Sequence, residues 1–102
     1  MVRHGFHDVA KFGHWDAYLA ACKAWSGEGM KVGLPAYRMY TPVWGKVNEA
    51  YVEAVFESAD DVLARNRVAL ESPAFVAALR ALEEHLTDAA SREYVLSEQS
   101  LS

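Results

Sequence analysis

The chain has 102 residues, 52% of them hydrophobic and 24% charged, with a formal net charge of -4. That length supports one hydrophobic core, so residues 1–102 are expected to form one domain, and the composition excludes disorder. The acidic balance offers no electrostatic footprint for nucleic acid or an anionic membrane surface, and no apolar run is long enough to span a bilayer.

The start, Met1 to Asp8, lacks the apolar run of a signal peptide. Cys22 is the one cysteine, so no internal disulfide can form, and the expected location is the reducing cytoplasm. Residues Val2 to Val9 alternate and read as a first strand. His14 to Ser26 reads as a helix, because Trp15, Tyr18, Leu19, Cys22 and Trp25 recur at steps of three and four on one face. Phe12 is expected one turn earlier on that face. Gly27 and Gly29 are expected to stop the helix, since glycine readily takes the left-handed conformation of a C-terminal cap.

Leu34 to Val43 is rich in aromatic and apolar residues and reads as a second strand, with Pro35 near its start and Pro42 at its end. Val43 to Asn48 reads as a hairpin connection in which Gly45 is free to take positive φ. Glu49 to Glu57 is the clearest strand. Tyr51, Glu53, Val55 and Glu57 point one way, and Ala50, Val52, Ala54 and Phe56 the other. Ser58 then caps a helix, with Asp60 and Asp61 at the positive end of its dipole and Val62, Leu63, Val68 and Leu70 as its apolar positions. Ser72 and Pro73 break this helix and start another, on which Phe75, Leu79, Leu82 and Leu86 form an apolar stripe. Arg92 to Glu98 reads as a final short strand.

The order strand, helix, strand, strand, helix pair, strand predicts an α+β fold, a four-stranded antiparallel sheet with helices on one face. Val52, Ala54 and Phe56 belong under the helices. The opposite face carries Tyr51 and Val55 between Glu53 and Glu57. An open face of this kind leaves an apolar patch that two sheets packed face to face would bury. The expected partner is therefore a second copy of the chain.

The segment from Gly45 to Ser58 resembles the central hairpin strand of the NIPSNAP-like proteins, which belong to the dimeric α/β-barrel superfamily. Ala59-Asp60-Asp61-Val62-Leu63 resembles the acidic helix start that follows it there. Leu70-Glu71-Ser72-Pro73-Ala74-Phe75 resembles that family's link between two helical pieces, and Trp15 is similar to a tryptophan common in it. The first strand departs from the family pattern in being rich in histidine. The resemblance implies a ferredoxin-like βαββαβ sandwich that pairs into a dimeric α/β barrel. Members of that superfamily include cofactor-independent monooxygenases, haem-degrading enzymes, peroxidases and isomerases, and tend to hold ligands between sheet and helices. Fold alone does not choose among these activities.

No motif for a nucleophile elbow, a phosphate loop or a Cys-x-x-Cys pair occurs. His4 and His7 are the candidate proton-transfer residues. Three positions apart on a strand they face opposite sides, so a zinc site with Asp8 is not expected. Trp15 and Tyr18 are candidate walls for a flat organic ligand, and Arg38 and Tyr40 candidate polar anchors. His14 is expected to face solvent or order the connection before the first helix. His85 is expected to be solvated or to meet the C-terminal helix dipole. The haem-degrading members pair a helix histidine with an asparagine that the first strand here lacks, so haem is not expected either. No cofactor and no metal are expected. The functional expectation is a small-molecule enzyme, a cofactor-independent monooxygenase or isomerase acting on an aromatic or polyketide-like substrate. The alternative is a non-catalytic dimeric ligand-binding or interaction module, for which a small hydrophobic or aromatic molecule is the candidate ligand.

Overall fold

In the computed structural model, which describes residues 1–44, 47–87 and 91–101, strands β1 (Val2–Val9), β2 (Arg38–Tyr40), β3 (Glu49–Phe56) and β4 (Arg92–Ser97) form one antiparallel sheet. Helices α1 (Trp15–Lys31), α2 (Ala59–Leu70) and α3 (Pro73–Glu83) complete the ferredoxin-like βαββαβ order, and the strands lie side by side as β2-β3-β1-β4. Among the described residues no helix is long and apolar enough to cross a membrane.

The two-residue period of β3 sets the layers. Ala50, Val52, Ala54 and Phe56 are buried beneath the helices, while Tyr51 and Val55 are exposed on the other side. In the β1–β3 register His4 stands opposite Ala54, Phe6 opposite Val52 and Asp8 opposite Ala50. His4, Phe6 and Asp8 therefore lie on the helix side, and Arg3, Gly5 and His7 on the open side. The core combines these β3 residues with Tyr18, Cys22 and Trp25 of α1, Val62 and Ala69 of α2, and Phe75 and Leu82 of α3.

Helix α1 does not stop at Gly27 and Gly29; it runs on to Lys31. Gly29 is buried, and a Cβ there would stand 3.1 Å from Leu34 Cδ1 and 3.3 Å from Phe75 Cε1. The glycine is used for close approach and not for termination. The true stop lies at Gly33, where φ is +97°. Its N–H donates to the Met30 carbonyl, and the Leu34 N–H reaches back to the Gly29 carbonyl, the pairing of a Schellman cap. Phe12 is 92% exposed, because the chain turns at Gly13 (φ +81°) before α1 begins.

Strand β2 is much shorter than Leu34 to Val43. Leu34 is buried in the core beside Gly29 instead of extending the strand, and Pro35 and Pro42 bring no N–H to the ladder. Gly45 lies outside the described residues; the positive φ of this connection is found at Asn48 (φ 65°). Ser58 and Ser72 cap α2 and α3 by accepting from the N–H groups of Asp61 and Phe75. On α2 only Val62 and Ala69 are buried, and Leu63, Val68 and Leu70 remain exposed.

Candidate functional site

Between the helix side of the sheet and helices α1 and α3 lies a cavity of about 330 Å³. Phe6, Trp25, Phe75, Leu79, Leu82 and Leu86 form apolar walls. Polar groups reach it from β1 and from the β4 side: Asp8, Ser91 and Glu93, with Asn66 and Glu83 from the helices. This is the usual composition of a small-molecule site, apolar surface with a few placed polar groups.

Asp8 is 3% exposed, and a buried carboxylate needs donors. It has two. The fully buried Tyr18 hydroxyl donates to Oδ2 at 2.7 Å, and the Ser91 hydroxyl donates to Oδ1 at 2.9 Å. Burial first, and the neighbouring Asp8 second, push the Tyr18 hydroxyl well above the usual phenol range, so it stays a donor. Cys22 also lines the cavity; burial pushes its thiol up to about 11, which leaves it neutral and a poor nucleophile.

The second polar group is a chain through His4, which is wholly buried. Its Nδ1 lies 2.6 Å from the Tyr37 hydroxyl and its Nε2 2.5 Å from Glu93 Oε2. Burial, and then the Glu93 charge, raise the Tyr37 hydroxyl, so it keeps its proton and donates to Nδ1. The Nε2–H of His4 then donates to Glu93, an assignment made from the hydrogen-bond network. Edge-on contacts with Phe6, Tyr37 and Phe56 fix the imidazole ring.

His4 and Tyr18 are thus joined to the cavity through two of its carboxylates, Glu93 and Asp8. Trp15 is half-buried and tilts against Tyr18, with ring centroids 5.5 Å apart, without lining the cavity. His7 lies on the open sheet face, stacked on Tyr51 with centroids 4.7 Å apart and 3.6 Å from Glu49. Arg38 and Tyr40 share that face and are exposed. His14 and His85 meet each other, Nδ1 to Nδ1 at 3.2 Å, a pairing the sequence did not suggest. Among the described residues no group of three or more His, Cys, Asp or Glu side chains could hold a metal ion.

Ser91 and Glu93 were not singled out as site residues by sequence reasoning; Asp8 entered it only beside His4 and His7 as a metal ligand, and Tyr37 only as one of several aromatic residues. A signal for Asp8 was present: it shares strand parity with His4 and Phe6, which puts an acid on the apolar side of β1. Ser91 and Glu93 carry no such mark, since their place depends on β4 pairing with β1.

No protein-family model matches the sequence, and no curated protein matches it. Solved structures do. A NIPSNAP family protein from Agrobacterium tumefaciens superposes with a TM-score of 0.82 at 14% identity, covering 99% of this chain and 88% of that one. An uncharacterised NIPSNAP domain protein from Burkholderia xenovorans gives 0.80 at 12% identity, covering 100% and 98%. A putative antibiotic biosynthesis monooxygenase from Nitrosomonas europaea gives 0.72 at 7% identity, covering 98% and 100%. The chain therefore has the ferredoxin-like fold of NIPSNAP proteins, one it shares with a putative antibiotic biosynthesis monooxygenase.

Proposed function

We propose that the protein is a small-molecule enzyme, a cofactor-independent monooxygenase or an isomerase, that takes an aromatic or polyketide-like substrate into the cavity between sheet and helices. Both reactions begin by removing a proton from the substrate. The observation that carries this reading is the pair of hydrogen-bonded carboxylates, Asp8 and Glu93, at a chamber whose walls are mainly apolar. Asp8 already accepts at both oxygens, so Glu93 is the better base. His4 orients Glu93 and stabilises its charge, with Tyr37 fixing the imidazole tautomer. Tyr18 holds Asp8, and Trp15 supports Tyr18. The fold shared with a putative antibiotic biosynthesis monooxygenase supports the choice of reaction class.

In this reading the protein works as a homodimer joined through the open sheet face, where His7, Arg38, Tyr40, Tyr51, Val55 and Leu96 stand. Its neutral buried thiol suits a reducing cytoplasm. The test is a panel of phenols and enolisable aromatic ketones, followed by oxygen uptake and by deuterium incorporation from solvent. Glu93→Gln should lower kcat/KM on an active compound by about 100-fold or more, and His4→Ala similarly. Unchanged turnover in both variants would sink the proposal.

A further inference from the structure

A second cavity, also of about 330 Å³, lies on the β2 side of α1, where Leu19, Ser26 and Met30 of the helix meet Tyr37 and Met39. Three residues line both this space and the chamber: Cys22, Trp25 and Val52. Cys22 and Trp25 stand one turn apart on α1, and Val52 belongs to β3 of the sheet. All three are buried. They form a partition between the two spaces, and the indole of Trp25 is its largest member. Ring contacts hold that indole from both sides. Phe6 and Phe75, which line only the chamber, each have their ring centroid 6.0 Å from it. Tyr37, which lines only the second cavity, meets it at 4.8 Å. The indole N–H has no hydrogen-bond partner among the described residues, so a smaller apolar side chain here would open the partition without stranding a polar partner.

We infer that Trp25 sets the length of the molecule the chamber admits, and that the second cavity is an extension of the same site, closed off by the indole. This rests on the reading of the chamber as a substrate site. The strand order β2-β3-β1-β4 gives the direction. Glu93 belongs to β4 at one edge of the sheet, Val52 to β3 two strands further in, and Met39 of the second cavity to β2 at the other edge. Neighbouring strands lie about 4.8 Å apart, so the run from β4 to β3 is roughly 10 Å, the length of two fused rings with one hydroxyl. A third ring in line would have to pass Trp25. Such size limits are sharp, because close-packed aromatic walls do not yield by a ring's width.

The experiment titrates the intact protein with two rigid fluorescent probes, 2-naphthol and the longer 6-phenyl-2-naphthol. The parent should bind the longer probe at least about tenfold more weakly than the shorter one. Trp25→Leu, checked for native folding by circular dichroism, should tighten the longer probe by about tenfold or more and change 2-naphthol by less than about threefold. Trp25→Phe, a milder change to the core, should shift the longer probe in the same direction by a smaller factor. Adding Met39→Phe to Trp25→Leu fills the second cavity from its β2 side and should abolish the gain. A parent that binds both probes alike overturns the inference and leaves the chamber reading standing, and so does a Trp25→Leu variant that gains nothing. A gain that survives Met39→Phe overturns the role of the second cavity, since the extra ring then occupies only the space the indole left. If neither probe binds the parent or any variant, the reading of the chamber as an aromatic site falls together with the inference.

Discussion

Tyr94 lies across Gly5. A Cβ on Gly5 would stand 2.7 Å from the Tyr94 hydroxyl oxygen and 2.8 Å from Glu53 Cβ, so β1 is open at this point only because the residue has no side chain. The phenol crosses the strand to donate to Glu53 Oε2 at 2.8 Å, and Arg3 approaches the same carboxylate at 3.6 Å. Gly5→Ala must therefore displace both the ring and a neighbouring strand position. It should cost about 1–3 kcal/mol by overpacking, read from the midpoint of urea unfolding. Tyr94→Leu in the same chain should restore part of that loss and not all of it, because Glu53 Cβ remains.

His4 is the other residue whose loss cannot be absorbed. His4→Ala leaves a void in the core and strips the Tyr37 hydroxyl of its acceptor. The expected cost is about 2–4 kcal/mol. Chemical denaturation measures it, and a loss below experimental error would mean that the Tyr37–His4–Glu93 chain contributes nothing to the fold.

Tyr18 links stability to alkaline pH. Burial and Asp8 raise its hydroxyl above the ordinary value of 10, so the folded protein holds the phenol proton more tightly than the unfolded chain does. Its contribution is complete below pH 10 and is lost as pH climbs towards the folded value. Tyr18→Phe should cost about 1–3 kcal/mol at neutral pH by taking a donor from Asp8. The variant should also lose less stability than the parent as pH rises through the tyrosine range. Thermal melts of both proteins against pH test this, and parallel curves would refute it.

The open sheet face gives a test of assembly. A glutamate at an exposed apolar position there, Val55→Glu, should halve the native mass and leave the circular dichroism spectrum intact, if the proposed dimer uses this face. Native mass spectrometry of parent and variant decides it. A parent already at monomer mass would remove the dimer from the functional reading.

The layers of this fold were legible in the sequence because the β3 period is strict, and because Ser58, Ser72 and Pro73 mark helix starts by local chemistry. The same local logic misread Gly27 and Gly29. Whether a glycine ends a helix or admits a neighbour depends on what packs there, and Leu34 and Phe75 arrive from other parts of the chain. Strand β2 was overextended because apolar residues in a row read alike whether they pair or fold inward, as Leu34 does. The site shows the same division. Strand parity separates His4 from His7, but nothing local brings Tyr37 and Glu93 to the two nitrogens of His4, or His14 to His85. Those meetings are made by the order of strands in the sheet and the packing of α1 on α3.

The buried turn of α1 at Gly29 reaches further than its own packing. Gly29 does not border the chamber, yet Phe75, which does, comes to within 3.3 Å of the place where a Gly29 Cβ would stand. The far wall therefore rests on a hydrogen atom of the helix backbone. One added methyl group would push that wall inward from behind. The breadth open to a ligand is inherited from a position that never touches it, and size selectivity can shift with no change in any lining residue.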